Sequence, residues 1–181
     1  GIEKEFDEAV AMLGDGVSMS LAYLDLDRFK LINDLFGHLA GDEVLKQVCE
    51  RVRNMLTEGQ SMGRVGGDEF VIVFKGTPID SAAWVCRGIV DRIGNLPYQI
   101  GDRAFQVKGS IGLMEISESI RVKDAISVAD RACREAKSGN HGNPVIYDRH
   151  SPVFREREDE LRLIARFGTN VAPEGLFQVM Q

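Results

Sequence analysis

The sequence predicts an α/β (α+β) domain with much antiparallel pairing in its sheet and helices against it. Two observations carry the prediction. Helix-periodic stretches alternate with short β-prone runs, and the segment Gly66-Gly67-Asp68-Glu69-Phe70 sits between Arg64-Val65 and the apolar Val71-Ile72-Val73-Phe74, as a tight hairpin would. Two glycines there suit a two-residue turn with positive φ at both central positions, so that Asp68 and Glu69 open the returning strand.

The elements follow in order. Phe6, Val10 and Leu13 recur at helical spacing within residues 3 to 13, and Gly14-Asp15-Gly16 ends that helix. Val17 to Leu26 reads as a central strand, with Asp25 and Asp27 at its end. Arg28 to Phe36 gives one or two helical turns stopped by Gly37, and Gly41-Asp42-Glu43 opens a longer helix carrying Val44, Leu45, Val48, Val52 and Leu56. After the hairpin, Ala82 to Ile93 is helical by periodicity, while Phe105, Val107, Ile111 and Leu113 alternate along one strand face. Ala125, Val128, Ala129, Ala132 and Ala136 define a last helix, and Val145-Ile146-Tyr147 a closing strand. Residues 1–150 are thus expected to form one domain.

Residues 151–181 differ. Acids and arginines surround Leu161, Leu163, Ile164 and Phe167 in a salt-laced amphipathic pattern, and after Ala172-Pro173-Glu174-Gly175 a strand-like run ends the chain. They read as a connector helix and the start of a further domain, as though the chain were cut from a longer protein.

Composition narrows the function classes. The 181 residues are 44% hydrophobic and 28% charged, enough to bury one real core. No apolar run reaches membrane-spanning length, so no membrane contact is expected. A net charge of −6 argues against a broad nucleic-acid surface, which needs clustered Lys and Arg. Cys49, Cys86 and Cys133 lack metal-like spacing and read as reduced, structural and cytoplasmic.

Asp25 and Asp27, two apart on a strand, share one face, with Leu26 on the other. A lone Asp-x-Asp most often keeps a strand edge soluble; beside an acidic glycine hairpin it suits a hard cation. Magnesium takes oxygen ligands, keeps several waters and often needs only one or two carboxylates, so Asp25 and Asp68 suffice as anchors. Lys30, Asn33 and Asp34 lie on neighbouring parts of one helical face, and Asp42 follows. A lysine can neutralise phosphate, and an Asp carboxylate can accept from guanine N1–H and the 2-amino group. The plainer reading keeps Asp42 as an N-cap and Asn33 as a late-helix polar residue.

The run Leu24-Asp25-Leu26-Asp27-Arg28-Phe29-Lys30-Leu31-Ile32-Asn33-Asp34, then Gly37-His38, Gly41-Asp42 and Arg64-Val65-Gly66-Gly67-Asp68-Glu69-Phe70, resembles the GGDEF domain of the diguanylate cyclase family. The likeness continues through Ser110-Ile111-Gly112, Ala129-Asp130-Arg131-Ala132 and Ala136-Lys137. It implies a palm-like fold related to nucleotidyl cyclases and polymerases, with a mainly antiparallel sheet. It also implies synthesis of cyclic di-GMP from two GTP, with Mg2+ or Mn2+, at the interface of a homodimer. Carried over by position, Asp25, the Leu26 carbonyl and Asp68 would contact metal, with Glu69 a further acid. Asn33 and Asp42 would read guanine; Lys30 and Lys137 would meet the triphosphate; Phe29, Gly66 and Gly67 would lie against the nucleotide. The resemblance implies Asp25, Lys30, Asp68 and Glu69 as the catalytic set.

Three departures temper this. Thr57, Glu58, Gly59 and Gln60 stand where relatives often carry Arg-x-x-Asp, a product-inhibition site, so feedback there is not expected. His141 stands near a place usually held by arginine, which weakens triphosphate binding unless Arg134 compensates. The customary opening segment before Phe6 is missing or degraded. The tail from Leu161 resembles the start of an EAL phosphodiesterase domain, which makes an attached EAL domain and upstream sensor domains the expected partners. Three functions stay open: a diguanylate cyclase, a GTP-binding module regulating an attached phosphodiesterase, and a dimerisation scaffold.

Overall fold

The computed structural model describes residues 1–13, 16–116, 120–139, 142–150 and 162–166. The chain separates into two units, Gly1–Tyr147 and Asp148–Gln181. In the second, residues 162–166 are helical; the remainder of the expected connector helix and the terminal strand lie outside the described residues.

In the first unit the order is α1 (Ile2–Ala11), β1 (Met19–Asp27), α2 (Phe29–Phe36), α3 (His38–Arg53), β2 (Gln60–Arg64), β3 (Glu69–Lys75), α4 (Ile79–Gly94), β4 (Tyr98–Ile100), β5 (Arg103–Phe105), β6 (Lys108–Glu115), α5 (Val122–Gly139) and β7 (Val145–Ile146). The main sheet runs β2-β3-β1-β6-β7, and β4-β5 make a separate ribbon. β1 is antiparallel to β3 and β6, and β2 to β3, while β7 joins β6 in parallel. The expected α+β architecture with a mainly antiparallel sheet is present.

β1 and β3 read as nearly unbroken apolar runs because both faces of the sheet are covered. Ala22, Leu24 and Leu26 of β1, with Phe70, Ile72 and Phe74 of β3, pack with Val44 and Val48 of α3 and Cys86, Ile89 and Ile93 of α4. The alternate residues Leu21, Tyr23, Val71 and Val73 pack with Phe6 and Ala9 of α1 and Ala125, Ala129 and Cys133 of α5. Period-two alternation thus feeds two cores, and the sheet ends where β1 reaches Asp25 and Asp27.

Four expectations shift. Phe105 belongs to the β4-β5 ribbon instead of the strand carrying Ile111 and Leu113, although it still joins the same core. α3 begins at His38, with Gly37 in the N-cap position, so Asp42 lies inside the helix and is not its N-cap. Residues 64–70 do not form a two-residue turn: β2 ends at Arg64 paired with Phe70, and Val65 to Asp68 bridge the strands. Neither Gly66 nor Gly67 takes positive φ, and only Glu69 of the two acids opens β3. Among the described residues no helix is long and apolar enough to cross a membrane.

α5 lies directly on β6 at Gly112. A Cβ there would meet the Cys133 amide nitrogen and the Ala129 carbonyl oxygen, both backbone atoms that cannot step aside. Gly112→Ala is expected to destabilise the domain by about 3 kcal/mol, read as a lower midpoint in urea unfolding.

Candidate active site

β1 turns into α2 through Arg28, the one non-glycine residue with positive φ among those described (56°). That left-handed conformation is uncommon for a long side chain, and such residues concentrate at functional sites. It directs the chain off the sheet immediately after Asp27, so α2 starts beside the strand-end acids.

Glu69 stands directly opposite Asp25 in the β1-β3 register, so the two carboxylates project from the same face. Asp68 precedes Glu69 in the loop, and its carbonyl accepts from the Leu26 N–H at 3.2 Å. The Leu26 backbone is therefore tied to the acidic loop. Arg64 fixes the loop from the β2 side, its Nε donating to the carbonyls of Gly66 (2.9 Å) and Gly67 (3.0 Å) and its Nη2 to Gly67 (2.7 Å). Glu69 O also accepts from Val65 N–H (2.9 Å) and Gly66 N–H (3.3 Å). These bonds hold the glycines without the positive φ that a two-residue turn needs. A Cβ at Gly66 would meet Glu69 Oε2, whereas one at Gly67 would point into open space.

α5 supplies the cation. Lys137 Nζ lies 2.7 Å from Asp25 Oδ2 and 3.5 Å from Asp27 Oδ1. Ser110 Oγ of β6 donates to Asp27, at 3.0 Å from Oδ1 and 3.2 Å from Oδ2. Burial pushes the Asp25 pKa up; Lys137 pulls it down, and the charges of Asp68 and Glu69 add to the rise, leaving it above the ordinary value. Burial alone would lower the Lys137 pKa, but its bond to Asp25 and the charges of Asp25 and Asp27 leave it raised. Tyr23, two residues before Asp25, has its phenol pKa raised by burial first and then by donating to Glu69.

α2 and α3 supply the other group. Lys30 and Asp34 are exposed and Asn33 half-buried on α2. Gly41 lets α3 approach so closely that a Cβ there would meet Asn33 Oδ1, which sets the Asn33 amide against the residue before Asp42. Phe29, expected against the nucleotide, is 4% exposed, and its ring packs in the core. Arg134 pairs with Asp130 Oδ2 on its own helix at 2.7 Å, and His141 lies outside the described residues. Asp25, Asp68, Glu69 and Lys137 thus come together, while Asn33 lies against Gly41, one residue before Asp42.

Among the described residues no group of three His, Cys, Asp or Glu is arranged to hold a metal ion unaided. The donors still suit magnesium, which completes its shell with water and phosphate; burial first, and then the charges of Asp68 and Glu69, disfavour the Asp25 carboxylate, and a divalent cation would offset that. Tyr23, Arg64 and Ser110 escaped the sequence reading. Tyr23 shares the period-two face of Asp25, a signal present in the sequence, but Ser110 reaches Asp27 only through the β1-β6 register.

Residues 1–143 match the family described as diguanylate cyclase, GGDEF domain. The chain belongs to the GGDEF family. It is 31% identical over 130 residues to the probable diguanylate cyclase DgcE of Escherichia coli K12, covering 71% of this chain and 12% of that protein. It is 33% identical over 144 residues to the cyclic di-GMP phosphodiesterase PdeR of the same organism, covering 79% of this chain and 21% of that protein. The chain therefore spans 12% of the first relative's length and 21% of the second's. The GGDEF domain of TpbB, also called YfiN, from Pseudomonas aeruginosa has a TM-score of 0.75 at 27% identity, covering 86% of this chain and 92% of that one.

Two outcomes follow from this geometry. Gly66→Ala should displace only the flexible Glu69 carboxylate, so the melting temperature, followed by circular dichroism, should stay within about 2 °C of the wild-type value. For Asp25 the folded pKa is raised, so stability falls as pH rises from the unfolded to the folded pKa, and the loss is complete above it. Asp25→Asn should therefore raise the melting temperature at pH 7, by on the order of 2 °C, and the gain should vanish as pH falls through about 4.

Proposed function

We propose that this GGDEF domain condenses two GTP into cyclic di-GMP with release of two pyrophosphates. The observation that carries the reading is the Asp25 and Glu69 register, with Asp68 at the loop and Lys137 on the opposing helix. In each half-reaction the 3′-oxygen of one GTP bonds to the α-phosphorus of the other, the bond to the bridging oxygen breaks, and pyrophosphate leaves with that electron pair. The hydroxyl proton passes to a carboxylate of the acidic loop, Asp68 or Glu69. Lys137 and Lys30 offset charge on the departing phosphates. Asn33 and Asp42 hold the guanine edge and so fix where the α-phosphate lies. Asp25, the Leu26 carbonyl and Asp68 would hold Mg2+ or Mn2+, with Glu69 nearby, and the ion would supply further stabilisation of phosphate charge.

One protomer presents one such set. Two bonds in a cyclic product require two facing sets, so activity belongs to a symmetric homodimer. The likeness to DgcE supports the cyclase reading. The likeness to PdeR supports a second one, in which the domain binds GTP and regulates an attached EAL phosphodiesterase.

Incubation of the purified domain with GTP and Mg2+, followed by product separation, distinguishes them. Cyclic di-GMP is expected, formed at a rate that rises more steeply than protein concentration below the dimer dissociation constant. Asp68→Ala should lower turnover at least about a hundredfold with the fold intact. GTP binding by a dimeric sample that makes no cyclic dinucleotide would defeat the cyclase reading in favour of the regulatory one.

A further inference from the structure

Lys137 is held by two carboxylates, and only one belongs to the proposed metal set. Its ammonium sits closer to Asp25 than to Asp27, at 2.7 Å against 3.5 Å. It therefore lies on the carboxylate that a divalent cation would use. A lysine and a metal ion on one carboxylate oxygen repel each other, so cation binding at Asp25 requires the ammonium to withdraw. Asp27 offers the place to withdraw to. Its two oxygens accept from Ser110 Oγ, and Ser110 is 5% exposed, its hydroxyl anchored in the sheet. The Asp27 carboxylate is thereby oriented by a buried donor while its Oδ1 faces Lys137. Space is present as well: a groove of about 540 Å3, lined by Asp27, Lys108, Ser110, Lys137 and Asn143 among others, opens beside the ammonium.

We infer that Asp27 and Ser110 are positioning residues that draw Lys137 off Asp25, so that the lysine acts as a resident counter-ion which the divalent cation replaces. The inference rests on the proposed metal set and adds to it a competition between the α5 lysine and the ion. In the nucleotide-free domain Lys137 partly neutralises the acids. When a cation takes Asp25, the lysine shifts toward Asp27, where its charge stays available for phosphate. Asp27 touches neither the reacting atoms nor the metal in this scheme; it acts through Lys137.

Mn2+ binding to the nucleotide-free domain, followed by the electron paramagnetic resonance signal of the free ion, tests this without reference to turnover. Lys137→Met should tighten Mn2+ binding roughly fivefold, because the competing charge is gone. Asp27→Asn should weaken it by about threefold or more in the wild-type background, and by under about twofold in the Lys137→Met background, since its effect runs through the lysine. Ser110→Ala should weaken binding in the same direction, and Ser110→Thr, which keeps the hydroxyl, should restore it. Circular dichroism melting checks that each variant is folded. Mn2+ binding that is unchanged or weaker in Lys137→Met overturns the competition, as does an Asp27→Asn effect of equal size in both backgrounds. If the wild-type domain binds no Mn2+ while Asp25→Asn is also silent, the metal set itself is wrong and the inference falls with it.

Discussion

The register of β1 against β3 is the constraint on which the site depends. Asp25 meets Glu69 and Leu24 meets Phe70, so one step along the strand separates a residue buried in the α3/α4 core from one facing the acids. A slip of one residue would send Leu24 and Leu26 to the other face and put carboxylates into the core. The two apolar faces exclude that slip. Packing on both sides of the sheet thus determines where the carboxylates stand, although none of the acids packs in either core.

The electrostatics run against stability. Asp25 is partly buried beside Asp68 and Glu69, and its raised pKa says that the fold would hold it more easily uncharged. Lys137 offsets part of this from α5, a helix docked through Gly112, Ala129 and Cys133 rather than through its charges. The domain keeps an unfavourable cluster of charge because the cores are strong enough to tolerate it. That pattern is expected where a site must attract a cation and polyphosphate that the free protein lacks.

Most of the architecture was legible because the apolar periodicities are clean. The alanine-rich α5, the both-faces-buried β1 and β3, and the paired glycines before Asp68 all left signals in the sequence. The turn type was misjudged because the geometry of Gly66 and Gly67 is set by Arg64 and the Glu69 carbonyl, contacts that no local rule anticipates. Asp42 looked like an N-cap because Gly41 precedes it, yet the helix had already begun at His38, and Gly41 serves the close approach of α2 to α3. The hydrophobicity of Phe29 places its ring in the core at the start of α2, where the resemblance sets the nucleotide. Ser110 was hidden because its partner lies 83 residues away and meets it only through strand pairing.

The central claim is that two groups of residues, Asp25 with Asp68, Glu69 and Lys137, and Asn33 with Asp42, serve one nucleotide. A crystal structure of the domain with a non-hydrolysable GTP analogue and Mg2+ tests it most directly. The account predicts the guanine edge on Asn33 and Asp42, the phosphates beside Lys137 and the Gly66-Gly67 loop, and the ion on Asp25 and the acidic loop. A triphosphate bound elsewhere, or a guanine that leaves Asn33 and Asp42 untouched, would contradict it.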